Sequence, residues 1–169
     1  MFKMSFLKMR TTSALRKSSA SRASTPYRHA ENIGIIFSVE DRQKHDSIKD
    51  LIKRLEQDGK KVQVLEFLPK KKENYEFLFD FFTLDDLSFW GNITSEKAVK
   101  FSNTPFDYLF YIDSQLNPLV LNLLARSKAH CRVGKYSEPE SPYFEMMIED
   151  NGNTKSLIDN VYKYTRQLK

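Results

Sequence analysis

The chain has 169 residues, 40 % of them hydrophobic, with 13 Phe, 8 Tyr and a formal net charge of +5. That is enough apolar surface for one buried core, which excludes a disordered chain, while a single cysteine, Cys131, excludes an intramolecular disulfide and a cysteine-based zinc site. No run approaches the roughly 20 apolar residues of a membrane span, and no secretory signal is expected, because Lys8 and Arg10 interrupt the apolar stretch directly after Phe6-Leu7.

The charge is unevenly placed. Residues 1–30 carry Lys3, Lys8, Arg10, Arg16, Lys17, Arg22 and Arg28 and no acid, whereas residues 31–169 hold 20 basic against 22 acidic side chains. Attraction to RNA, a ribosome or an anionic membrane surface is therefore expected of these seven leader cations and not of the body. Phe2, Phe6 and Met9 fall at helical spacing, but Lys3, Lys8 and Arg10 do not gather on one opposite face, so a short helix of poor amphipathicity is read over residues 2–16. A flexible Ser/Ala linker, Ser18–Ser24, follows and is closed by Pro26. The expected organisation is a mobile basic tail over residues 1–30 and one α/β domain over residues 31–169. An acid-free, Arg- and Ser-rich segment is also the composition of an organellar import signal, which is the alternative reading of this tail.

The body opens with Ile33-Gly34-Ile35-Ile36-Phe37, a short β-branched run suited to a strand buried on both faces. Asp41 is placed to cap a helix whose Ile48, Leu51, Ile52 and Leu55 share one face, and Gly59 supplies its stop. Val62–Phe67 makes a second strand, completing a βαβ unit. After a basic turn at Lys70–Lys72, Tyr75–Phe82 reads as a third strand, with a short helix as its alternative, and Leu84–Trp90 as a short extended piece ending at Gly91. Thr94 or Ser95 opens a helix with Ala98, Val99 and Phe101 inward, and Phe106–Ile112 is another buried strand. Asn117-Pro118 opens the apolar helix Leu119–Arg126. His130–Val133 is a strand closed by Gly134, and Phe144–Ile148 is the last strand. A terminal helix from Asn153 or Thr154 turns Leu157, Ile158, Val161, Tyr164 and Leu168 inward. Such alternation predicts an α/β, three-layer Rossmann-like domain with a mostly parallel sheet of five or six strands.

In such a sheet, ligands bind beyond the strand C-termini at the point where strand order reverses. The crevice candidates are Ser38, Glu40 and Asp41 after the first strand, with Asp113 and Ser114 after the 106–112 strand. A phosphate cradle needs glycines whose backbone N–H groups close on the anion, but this turn has none and presents two carboxylates. No cofactor is expected. Asp113 can act as a base or bind a hydroxyl, against its plainer reading as a turn or capping aspartate. Glu40, Asp41 and Asp113 could be combined as metal ligands, but solvation and N-capping explain them more simply, and no metal is assigned. His45 reads as lying on the exposed side of its helix. His130 and Cys131, as strand neighbours, point to opposite faces, so Cys131 is read as a core residue.

The segment 75–90 holds Tyr75, Phe77, Phe79, Phe81, Phe82, Phe89 and Trp90 among acids and no base. Base-stacking surfaces interleave their rings with Lys and Arg. Core packing, or an apolar contact with a protein partner or a second copy, is the better reading of this segment.

The order of basic N-terminal helix, Ile33-Gly34-Ile35-Ile36-Phe37, Phe89-Trp90-Gly91, Phe106-Asp107-Tyr108-Leu109 and Ser127-Lys128-Ala129-His130-Cys131-Arg132-Val133-Gly134 resembles an uncharacterised family of small bacterial proteins, chiefly from the Bacteroidota. That resemblance implies a bacterial cytoplasmic protein and no particular chemistry. The Ser127–Gly134 stretch with the Asp107 strand is also similar to part of the N-terminal Rossmann-like domain of heptosyltransferase-type glycosyltransferases. Those enzymes bind the nucleotide-sugar with a second domain for which this chain has no room. The combined expectation is a non-enzymatic cytoplasmic interaction or adaptor domain whose tail contacts an anionic partner. Its alternative is a glycosyltransferase-like half-domain using the crevice.

Overall fold

Helices and strands alternate through the computed structural model, which describes residues 2–169. Met1, the first residue of the expected tail, lies outside the described residues. The elements are α1 (Phe2–Lys17), β1 (Asn32–Ser38), α2 (Arg42–Gln57), β2 (Lys61–Phe67), β3 (Asp80–Phe82), α3 (Glu96–Asn103), β4 (Tyr108–Tyr111), α4 (Pro118–Arg126), β5 (Cys131–Lys135), β6 (Met146–Ile148) and α5 (Thr154–Arg166). All six strands are parallel, in the order β3-β2-β1-β4-β5-β6. This is the doubly wound arrangement, and its order reverses between β1 and β4.

The two faces of the sheet build two cores. Ile36, Leu65 and Leu109 pack with Leu7 of α1, Phe101 of α3 and Leu123 of α4. Ile33, Ile35 and Phe37 pack on the other face with Ile48 and Leu51 of α2 and Leu157 and Val161 of α5. Helix starts are chemically marked: Asp41 accepts from Lys44 N, Ser95 from Ala98 N and Asn153 from Ser156 N. At the end of α2, Gly59 adopts φ +80°.

Four local expectations are corrected. The strand read over Tyr75–Phe82 shrinks to β3, because Glu76 and Phe77 adopt φ of 58° and 45° and break the extended run. Their loop instead sends Tyr75 and Phe79 onto the His45 ring, each at 5.6 Å between centroids. Leu84–Trp90 is a 3-10 turn and a loop closed by a bridge between Leu87 and Ile93. Gly134 lies within β5 and does not close it; a Cβ there would meet the Phe144 ring at 2.4 Å. In α5 Tyr164 is exposed and its neighbour Thr165 is buried.

The larger correction concerns the leader. It is an ordered part of the fold and not a mobile tail. Helix α1 packs along α4, with Leu7 only 1 % exposed and Thr11 Oγ1 accepting from Asn122 Nδ2 at 2.9 Å. The Ser18–Ser24 linker is stitched to the body by Ala23 N donating to His130 O at 3.0 Å. Arg22 donates to Ser127 O at 2.7 Å, and Tyr108 OH donates to Thr25 O. The leader's polar composition conceals this, because one apolar contact line matched to α4 suffices to dock a short helix.

Candidate functional site

Between the ends of β1 and β4 lies a polar crevice of about 520 Å³, lined in part by Ser38, Glu40, Lys44, Asp113, Ser114 and Asn117. Four of the five sequence-expected crevice residues line it; Asp41 turns away to cap α2, its Oδ1 accepting from Lys44 N at 2.8 Å. The crevice floor is a closed network. Asp113 accepts from Ser38 N at 2.8 Å, from Ser38 Oγ at 2.7 Å and from Lys44 Nζ at 2.6 Å. Asn117 Nδ2 donates to Ser38 Oγ at 3.1 Å. Burial pushes the Asp113 carboxyl pKa up, and Lys44 is the main influence opposing that shift.

Lys44 decides what this crevice can do. Its ammonium donates to Asp113 Oδ1 at 2.6 Å and to Ser38 O at 2.8 Å, and lies 3.5 Å from Glu40 Oε2 as an ion pair. The one buried cation of the crevice is therefore occupied by the chain's own oxygens. The N-terminus of α2, where a phosphate would sit in a nucleotide-binding sheet, already holds the Asp41 carboxylate. Asp113 is neither a cap nor a turn residue but half of a buried ion pair that also accepts from Ser38 N and Oγ, contacts made within the fold. Sequence reasoning missed Lys44, since a lysine in the first turn of an amphipathic helix carries the pattern of a solvated residue.

The Glu40–Asp41–Asp113 metal grouping does not assemble. Among the described residues, the ligand-type side chains that do converge are His45, Asp46 and Glu76. His45 is buried, contrary to its expected exposure, and its Nε2 has no hydrogen-bond partner and lies 3.8 Å from Glu76 Oε2. Glu76 is already paired with Lys49 at 3.1 Å and Arg42 at 3.2 Å, which hold its pKa low. The Glu76 carboxylate is therefore already matched by two cations. Cys131 is a buried free thiol whose pKa burial raises to about 11.

The leader forms a second surface. Along α1, Phe2, Met9 and Arg16 recur every seven residues and are all exposed, and Lys8, Arg10 and Lys17 are exposed beside them. The 88–92 loop abuts this helix so closely that a Cβ on Gly91 (φ +76°) would fall 2.4 Å from Leu7 N. Phe89 and Trp90 project from that loop at 57 % and 59 % exposure. With Phe2 and Phe6 they form one aromatic cluster, with centroid separations of 5.0 to 6.5 Å. Arg10 Nε ties the two elements by donating to Trp90 O at 2.6 Å. The seven leader cations thus divide. Lys3, Lys8, Arg10, Arg16 and Lys17 share α1; Arg22 is a strut against Ser127 O and Ala129 O. Arg28 lies apart, in a 3-10 turn that contacts α5.

Residues 3–168 match the model described as Family of unknown function (DUF6913). No curated protein and no solved structure matches the chain.

Proposed function

The chain belongs to this family of unknown function, DUF6913, and from that premise we propose that it is a non-enzymatic adaptor whose leader helix docks on an anionic membrane surface. One observation carries the reading: an acid-free helix sets lysines and arginines beside exposed Phe2, Met9, Phe89 and Trp90. Basic side chains attract anionic headgroups, each worth about 1 kcal/mol near the surface, and exposed rings settle at the headgroup boundary. Phe89 and Trp90 pack edge against face at 88°, and their contacts with Phe2 and Phe6 are tilted by 50° to 58°. Docking would be peripheral; no helix of the described residues is long and apolar enough to cross a membrane. The crevice offers the transferase alternative less support, because its buried cation is spent internally.

Trp90 is the sole tryptophan, so its emission reports the patch directly. Titration with phosphatidylcholine vesicles, with and without phosphatidylglycerol, should give a blue shift and co-sedimentation only with the anionic lipid. Binding should weaken with salt and fall in a Lys3→Glu/Lys8→Glu variant. Salt-sensitive binding to RNA with no response to vesicles would reject the membrane reading.

A further inference from the structure

Strand β2 is incompletely covered. Its outer neighbour β3 pairs only with Leu65–Phe67, leaving Lys61–Val64 at an open edge. The direction of the free backbone groups follows from the ladder. Lys61 N donates to Glu31 O on the β1 side, whereas Leu68 N donates to Phe82 O on the β3 side. Successive residues of a strand face alternate neighbours, so Val62 and Val64 turn their N–H groups to the open edge, and Val62 its carbonyl as well. A buried strand satisfies such groups, and edges left unpaired are templates for another strand.

A groove of about 700 Å³ runs along this edge between α2 and α3, floored by Val62, Val64 and Phe101. Lys49, Lys53 and Glu56 stand on its α2 side, Lys97 and Lys100 on its α3 side and Asp80 on β3, so cations outnumber acids along it. Lys97 is paired with Asp80 and Lys49 with Glu76. Among the described residues no salt bridge engages Lys53 or Lys100, and both are exposed. No residue of α1 lines this groove.

We infer that the open edge of β2 is a strand-addition site for an extended acidic peptide segment of a partner protein, separate from the leader face. Backbone bonds to Val62 and Val64 would supply register. Every second, apolar side chain would lie on the α2 face against Val62 and Val64, and the intervening carboxylates would turn to the α3 face to pair with Lys100, with Lys53 adding positive field at the rim. Charge selects this occupant over a second copy of the chain, because pairing two β2 edges would bring two sets of lysines together. An adaptor needs two contact surfaces, and this would be the second.

The probe is a fluorescent capped peptide of alternating Val and Glu, with two controls: the same peptide N-methylated at alternate amides, and a Val/Lys analogue. Anisotropy should show binding of the Val/Glu peptide alone, with loss of about tenfold or more in Lys53→Glu/Lys100→Glu protein. Hydrogen exchange followed by NMR should show the Val62 and Val64 amides becoming protected on binding. Equal binding of the N-methylated peptide, or unchanged exchange at those amides, would overturn the proposal. So would a dimer in sedimentation whose Val62 and Val64 amides are protected without peptide. Loss of vesicle binding by the leader would leave the outcome of this experiment unaltered.

Discussion

Lys44 Nζ stands 2.6 Å from Asp113 Oδ1, with the two side chains only 3 % and 4 % exposed. This contact joins the first turn of α2 to the end of β4 and seals the point where the strand order reverses. Removing one partner strands the other charge in a poorly solvated position, so Lys44→Met should cost about 3–5 kcal/mol in urea denaturation. Asp113→Asn keeps an acceptor for Ser38 N, and Lys44→Met/Asp113→Asn should cost clearly less than the two single changes added together. Simple additivity would mean that the pair is not coupled.

The docking of α1 should depend on Leu7 and Gly91. Leu7→Ala removes a fully buried side chain and should cost about 2–5 kcal/mol. Gly91→Ala is strained by the positive φ, and its methyl would collide with the backbone of α1, which must move away. Hydrogen exchange should then accelerate throughout α1 while β1 and β4 stay protected. If α1 amides already exchange freely in the unaltered protein, the leader does not dock as described.

Glu66 sets a pH dependence on the neutral side. It is buried on β2 with no hydrogen-bond partner for Oε1, and burial raises its pKa from 4.5 to about 7. The folded state therefore holds a proton that the unfolded state has released, so stability should fall as pH rises from 4.5 to about 7 and level off above it. Glu66→Gln should flatten that slope and be more stable by about 1–2 kcal/mol at pH 8, after allowance for solvent screening. Thermal unfolding across the range would show a parallel pair of curves if Glu66 is not responsible.

Asp58 acts in the opposite sense. Burial raises its pKa, but the Tyr27 and Tyr162 hydroxyls, which donate to its Oδ2 at 2.6 and 2.7 Å, together with Arg166, hold the carboxyl below its ordinary value. Its contribution should be complete above the ordinary aspartate range and disappear as pH falls through the lowered value. Asp58→Asn should be destabilising at neutral pH, with the gap from the unaltered protein closing in acid. A gap constant with pH would assign the loss to packing alone.

The elements of the body were legible because their signals are local. The run Ile33–Phe37 became β1, Asp41, Ser95 and Asn117 became caps, and Leu119–Leu124 became the buried side of α4. Parallel packing also followed, since strands apolar along their whole length need helices on both faces. The aromatic run at 75–82 misled, because ring content raises strand propensity whether the rings belong to a strand or to a loop that folds back on one. His45 misled for a related reason: the loop that covers it comes from another part of the chain.

What the chain decided unaided was its class, its alternation of helices and strands, and the concentration of cations in its first thirty residues. Tertiary structure alone decided strand order, the docking of α1 on α4, the strut formed by Arg22 and the capture of Lys44 by Asp113, 69 positions away. Periodicity and caps act within a few residues and leave a mark in the string of letters. A buried ion pair or a docked helix depends on which distant surface the folded sheet presents, and no local pattern encodes that.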